Sequence, residues 1–269
     1  MASQSMVIVF GVVVVASLIA VATGGKIQFS YNGENGPLKW GSLSPDFSTC
    51  SNGRAQSPIN IVTNDAVTNP KLQPLTRDYV HEVDGTLINH GFNVGIQFDK
   101  ESLGDLTING KNYSFHQLHW HSPSDHTLDG ERFPLELHMV HKAPDGSITV
   151  VAIFFRYGNP DALLKQVEGP LNELTSEKSG GGDGEAHVEV TSLKTHCLDK
   201  KTRKYFRYVG SLTTPPCTEN VIWNIVGKVR EVAKEQVDAI RAPVDAGCKD
   251  NARPLQALNG RKVEVYHGE

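Results

Sequence analysis

The chain has 269 residues, with 26 Lys and Arg against 30 Asp and Glu and a formal net charge of −4. That length buries a large core without a metal or disulfide, so a metal-binding pattern in it reads as functional. The acidic balance excludes a nucleic-acid backbone as main partner, and the short basic run Lys200, Lys201, Arg203 and Lys204 reads as a solvated face.

In chain order, residues 1–22 come first. No charged side chain occurs before Lys26, Val7 to Val21 is almost wholly apolar, and Ala20-Val21-Ala22 supplies a small-x-small cleavage pattern. This reads as a secretory signal peptide that is removed, leaving 23–269 as one domain. An apolar run of about 15 residues falls short of the ~20 that a bilayer span needs, and no later segment comes closer. The expectation is therefore a secretory-pathway protein without a membrane anchor, secreted to the cell exterior or delivered by that route to an organelle. Cys50, Cys197, Cys217 and Cys248 then sit in an oxidising compartment, where spacing alone leaves three full connectivities open. Asn112-Tyr113-Ser114 is a glycosylation sequon beside the Asn109-Gly110 turn.

The middle of the chain reads as β. "LTINGKNYSFHQLHWH" predicts two strands joined at Asn109-Gly110, "GSITVVAIFFRYG" a buried strand, and "KYFRYVGSL" and "RKVEVYH" two more. "DALLKQVEGPLNELTSE", interrupted at Gly169-Pro170, and "AKEQVDAIRAP" predict short helices. The stretch from Ser176 to Ala186 reads as a flexible loop. Strands on both sides of that loop favour one continuous sheet over two domains.

Histidines are not scattered. Six of the 11 fall between His116 and His141. On a strand, residues i and i+2 share a face, so Gln117, His119 and His121 point one way and Leu118 and Trp120 the other. After a turn at Asp129-Gly130, Glu136, His138 and Val140 share a face of "LELHMVH". Antiparallel pairing of the two strands would bring His138 to His119 and His121. Three imidazoles with one tetrahedral position open are what a catalytic Zn²⁺ requires, whereas a structural zinc would be closed by a fourth side chain. Such a zinc lowers the pKa of its water to about 7. Gln117 and Glu136, each two residues from a ligand on the same face, are placed to accept from the outer ring nitrogens. His116, His126, His141, His187, His196 and His267 read as ordinary hydrogen-bonded histidines. There is no His-Glu-x-x-His and no Gly-x-Ser-x-Gly, so metalloprotease and serine hydrolase readings fall away.

Six segments in register, "YNGENGPLKWGSLSPDF" from Tyr31, "QSPINI" from Gln56, "QLHWHSPSDHT" from Gln117, "ELHMVH" from Glu136, "GSLTTPPCTENVIW" from Gly210 and "NARPLQALNGR" from Asn251, resemble the alpha-class carbonic anhydrases, most nearly their plant branch. The resemblance implies an α+β, mainly β single domain: a large, twisted, mostly antiparallel central sheet with short peripheral helices. It implies zinc on His119, His121 and His138, and reversible hydration of carbon dioxide to bicarbonate and a proton by zinc-hydroxide attack. By the same resemblance Thr213 orients the attacking hydroxide, Thr214 is a second polar wall position, and Val140, Val150, Leu212, Val221 and Trp223 form the apolar wall for the substrate. His90 matches the proton relay, a task that suits a histidine. Cys50 and Cys217 match the family's disulfide, leaving Cys197 and Cys248 as thiols or as a second pair. Asp125 departs from the family, which has glutamate there to accept from the threonine hydroxyl, and this implies an active but slower enzyme. The alternative is a non-catalytic carbonic-anhydrase-like storage or binding protein, against which the intact histidine set argues. Oligomeric state is not legible.

Overall fold

Asn109 and Gly110 take φ values of 51° and 78°, the two left-handed conformations of a type I′ turn. They join the strand Gly104–Ile108 to the long strand Lys111–His121, as the sequence predicts. The computed structural model describes residues 29–98, 103–179, 186–198 and 202–268. The expected signal peptide 1–22 and Lys200 and Lys201 of the basic run lie outside the described residues.

Among the described residues the long strand sits at the centre of a 13-stranded sheet. Its neighbours are Val94–Phe98 on one side and Leu135–Lys142 on the other, both antiparallel. Beyond these, Ile148–Tyr157, Glu219–Val226, Lys204–Ser211 and Glu264–His267 continue the sheet. Most pairs are antiparallel. Parallel pairing occurs where Ile148–Tyr157 meets Glu219–Val226 and Arg230–Val232, and where Val67–Thr68 meets Glu264–His267. The sheet is thus mixed, and the helices Ala162–Gln166, Glu168–Ser179 and Lys234–Arg241 are short and peripheral.

Alternation sorts the side chains. Leu118 and Trp120 enter the larger apolar core with Leu137, Met139, Val151 and Ile153, which the helices cap through Leu163, Leu171, Leu174 and Val237. A smaller core on the other side holds Val140, Val150, Tyr208, Val221 and Trp223. Full burial of a Leu or Val contributes about 1.5–3 kcal/mol each, so a one-residue register slip is strongly opposed. The strand Leu135–Lys142 is buried along its length except at Lys142, and its polar residues Glu136, His138 and His141 therefore need partners inside the protein.

Three expectations change. The helical segment breaks at Val167, not at Gly169-Pro170. Pro170 is the third residue of the second helix, where a missing N–H is no loss because first-turn N–H groups have no intrahelical acceptor. The stretch expected as a loop from Ser176 to Ala186 is helical through Ser179 and becomes strand at Ala186; 180–185 lies outside the described residues. Finally, strict alternation fails within the long central strand. Val140 pairs with Gln117 but His141 pairs with Phe115, so His116 is the extra residue of a bulge.

Candidate metal centre

His138 lies directly opposite His119 in the antiparallel register, and Glu136 opposite His121. Same-face spacing and this register bring the three imidazoles together, with ring centroids 5.2, 5.1 and 4.7 Å apart. Gly95 makes room for His119: a Cβ on it would meet the Leu118 carbonyl oxygen at 2.8 Å and the His119 Cβ at 3.2 Å.

The outer nitrogen of every ring faces an acceptor. Nδ1 of His119 donates to Gln117 Oε1 at 2.9 Å, Nδ1 of His121 to the Asn251 carbonyl oxygen at 2.7 Å, and Nε2 of His138 to Glu136 Oε1 at 2.8 Å. These bonds place the ring protons outward and leave His119 Nε2, His121 Nε2 and His138 Nδ1 as inward lone pairs. One donor atom from each ring lies within 4.8 Å of the others. His138 Nδ1 and His119 Nε2 are 3.3 Å apart, close to the ~3.3 Å between tetrahedral corners about 2.0–2.1 Å from a zinc ion. Lone pairs so close repel unless a cation lies between them. Buried His121 Nε2 has no hydrogen-bond partner, and burial, followed by the charges of its neighbours His138 and His121, holds the His119 pKa well below the ordinary histidine value. The residues fit a divalent metal with an imidazole preference, and zinc suits that donor set.

Glu136 anchors more than one ring. Its Oε1 also accepts from His126 Nδ1 and its Oε2 from the His126 backbone N–H, each at 2.8 Å. Burial, the largest influence, would raise the Glu136 pKa, but the positive character and hydrogen bonds of His126 and His138 hold it well below the usual carboxylate range. The chain of bonds continues outward. Tyr208 Oη donates to His126 Nε2 at 2.7 Å and accepts from Ser57 Oγ at 2.7 Å, and Ser57 Oγ accepts from the Ser211 N–H at 3.0 Å. Reading the sequence missed His126, Tyr208 and Asn251. One signal was available: a buried carboxylate has two oxygens to satisfy, and His138 supplies a single donor.

A cavity of about 340 Å³ opens beside the rings. Val140, Val150, Leu212 and Trp223 line it with Thr213 and Thr214, while His90 and the bulge residue His116 also line it. His90 is half-buried and stacks on Phe92, ring centroids 5.8 Å apart. Val221 is buried in the adjoining core and is not among the lining residues. Asp125 is fully buried. Its Oδ1 accepts from the Arg253 N–H at 2.8 Å, and its Oδ2, 3.5 Å from His121 Nε2, has no hydrogen-bond partner. No hydrogen bond joins Asp125 to Thr213. Nearby, the Cys50–Cys217 disulfide closes the loop that follows Thr213. Arg253 threads beneath it, donating to the Cys50 and Ser57 carbonyl oxygens and to Gln56. Cys197 and Cys248 are buried thiols. Asn112 is exposed in the hairpin, its Oδ1 accepting from Thr107 Oγ1 at 2.9 Å.

A large mixed sheet with three convergent imidazoles at its centre, second nitrogens all held by acceptors, is a framework whose donor set could hold one metal ion. The eukaryotic-type carbonic anhydrase family matches residues 35–267, and the chain belongs to it. Alpha carbonic anhydrase 7 of Arabidopsis thaliana is 38% identical over 267 residues, covering 97% of this chain and 94% of the relative. Among solved structures, a dioscorin complexed with ascorbate is 36% identical with a TM-score of 0.84, covering 90% of this chain and 99% of that one. An alpha carbonic anhydrase from Thermovibrio ammonificans, in complex with the inhibitor sulfanilamide, is 34% identical with a TM-score of 0.76, covering 89% and 100%.

Proposed function

We propose that the chain binds one zinc ion through His119, His121 and His138 and catalyses reversible hydration of carbon dioxide to bicarbonate and a proton. The observation that carries this reading is the set of three inward lone pairs, each fixed by an outward hydrogen bond. Zinc, when bound, supplies a Lewis acid that ionises water near neutral pH. The protein's own residues do the rest. Gln117, Asn251 and Glu136 hold the ring protons outward and orient the rings. Val140, Val150, Leu212 and Trp223 give a small apolar gas a dry wall. The Thr213 hydroxyl and backbone N–H orient oxygen atoms at that wall, Thr214 adds a polar edge, and His90 passes the proton to buffer.

The same reading takes 1–22 as a removed signal peptide, 23–269 as the mature domain, secretion as its route and Asn112 as a glycan acceptor. The disulfide supports an oxidising compartment, and no helix among the described residues is long and apolar enough to cross a membrane. Metal content by mass spectrometry, paired with stopped-flow hydration of carbon dioxide by the mature protein, tests the proposal. Stoichiometric zinc with activity is expected, and His138→Ala should lose both. Retention of both in that variant would overturn the ligand assignment. A second reading, a non-catalytic binding member of the family, is favoured by the unpartnered Asp125 Oδ2; stoichiometric zinc without hydration would select it.

A further inference from the structure

In a regular strand that turns Gln117, His119 and His121 toward the pocket, His116 would share the opposite face with Leu118 and Trp120, inside the larger apolar core. The bulge prevents this. Val140 pairs with Gln117 and His141 with Phe115, so Phe115 and Leu118 both keep their places in that core, and His116 joins Gln117 in lining the pocket. Re-aiming a side chain is a common use of a bulge. The His116 ring is exposed where the pocket meets solvent. His90, the other histidine outside the cluster that lines this pocket, enters from a different place. It follows Asn89, which pairs with Val94, and Val94 pairs with Trp120. His116 lies four residues back from Trp120, about 13 Å at ~3.3 Å per residue, and His119 falls between the two levels.

An imidazole takes up and releases protons near neutral pH, and no other unmodified side chain lining this pocket does so as readily. The titratable groups that line it are His90, His116, His119, His138 and Lys142. His119 and His138 have their outer nitrogens bonded to acceptors and their inner ones turned to each other, and an ammonium such as Lys142 has no lone pair to offer. His90 and His116 are left. Partial burial of the ring, followed by the positive charge of Lys142, lowers the His116 pKa. At neutral pH the ring therefore holds an open lone pair, and Lys142 hastens departure of any proton it accepts. Each hydration turnover leaves one proton in the pocket. A water O–H bond breaks as an N–H bond forms on the ring, and the imidazolium then gives that proton to a buffer base at the mouth.

We propose that His116 is a second proton-transfer base of this pocket, carrying protons from pocket solvent to buffer in parallel with His90. This role rests on the hydration reading. Stopped-flow hydration of carbon dioxide by the zinc-loaded mature protein at low buffer concentration, where proton export limits kcat, tests it in His90→Ala, His116→Ala and the double variant. Removing His116 from the His90→Ala background should lower kcat roughly 10-fold, a small part of the ~10²- to 10⁴-fold that positioned proton transfer supplies. The ratio kcat/KM should hold, and added imidazole should restore kcat. An active wild type whose double variant matches His90→Ala would overturn the role of His116 alone. So would a parallel fall in kcat and kcat/KM, which marks a structural effect. A wild type without hydration would overturn the hydration reading and this role with it. Proton NMR of the metal-free protein supplies a readout apart from activity. The His116 ring should titrate below the unfolded histidine value, with a midpoint that rises in Lys142→Gln. A ring that takes up no proton between about pH 8 and 4 would overturn the role whatever the kinetics.

Discussion

On one side of the central pocket the three imidazoles have each outer nitrogen bonded to an acceptor, at 2.7 to 2.9 Å. Beside them Asp125 accepts with one oxygen from the Arg253 N–H and leaves the other, 3.5 Å from His121 Nε2, without a hydrogen-bond partner, and it accepts no bond from the Thr213 hydroxyl. The two sides are built by different means. Strand register sets the first, because pairing His138 with His119 fixes where the rings meet, and the acceptors behind the rings then set their orientation. The second depends on the reach of one side chain. A backbone-defined grip tolerates drift in sequence, whereas an orientation that hangs on a single methylene does not.

The largest way to break that contrast is to damage the complete side. Glu136→Gln replaces an acceptor of three hydrogen bonds with an amide that has one acceptor oxygen. Loss of such a partner behind a metal ligand typically costs about 10- to 100-fold in affinity. Competition with a chromophoric chelator should show zinc affinity reduced by that factor, and unchanged affinity would mean that the His126 and Tyr208 network holds His138 by itself. Completing the other side is the converse. Asp125→Glu adds the reach that Asp125 lacks toward Thr213, and kcat/KM for hydration should rise about 10-fold at constant zinc content. An unchanged or lower value would show that the Arg253 contact, not the Thr213 contact, is what that position serves.

What the sequence disclosed follows the same division. His119, His121 and His138 were legible because alternation and a hairpin are local rules, and Gln117 and Glu136 followed from the same alternation. Asn251 was not, because its part is played by a backbone carbonyl 130 residues from His121, and a carbonyl has no residue type to read. His126 looked ordinary because its role exists only through Glu136 and Tyr208, the latter 82 residues away. The bulge at His116 was hidden for another reason. Nothing in "YSFHQLHWH" marks where a partner strand slips by one residue, and the slip is what allows both His116 and Gln117 to line the pocket. The sheet could be anticipated from its strands, but its parallel join between Ile148–Tyr157 and Glu219–Val226 is set by long-range packing.

His141 sharpens the comparison from a third direction, since it lies three residues beyond His138 on the same strand and takes no part in the cluster. Its Nε2 accepts from Tyr79 Oη at 2.6 Å, its ring stacks on Phe115 with centroids 4.8 Å apart, and its Nδ1 has no hydrogen-bond partner. Burial lowers its pKa to about 3. In the unfolded chain a histidine takes up its proton near pH 6.5, so between about pH 6.5 and 3 the unfolded state binds a proton that the folded state refuses. Stability contributed by the neutral ring is thus complete above pH 6.5 and is lost as pH falls below it. At pH 5 the loss from this one group is on the order of 2 kcal/mol. His141→Phe keeps the stacking volume and removes the titration. Unfolding free energies from urea titrations at pH 7 and pH 5 should therefore move apart less in the variant than in the wild type, by about that amount. An equal separation would mean that His141 accepts its proton in place and that the acid sensitivity of this sheet lies elsewhere.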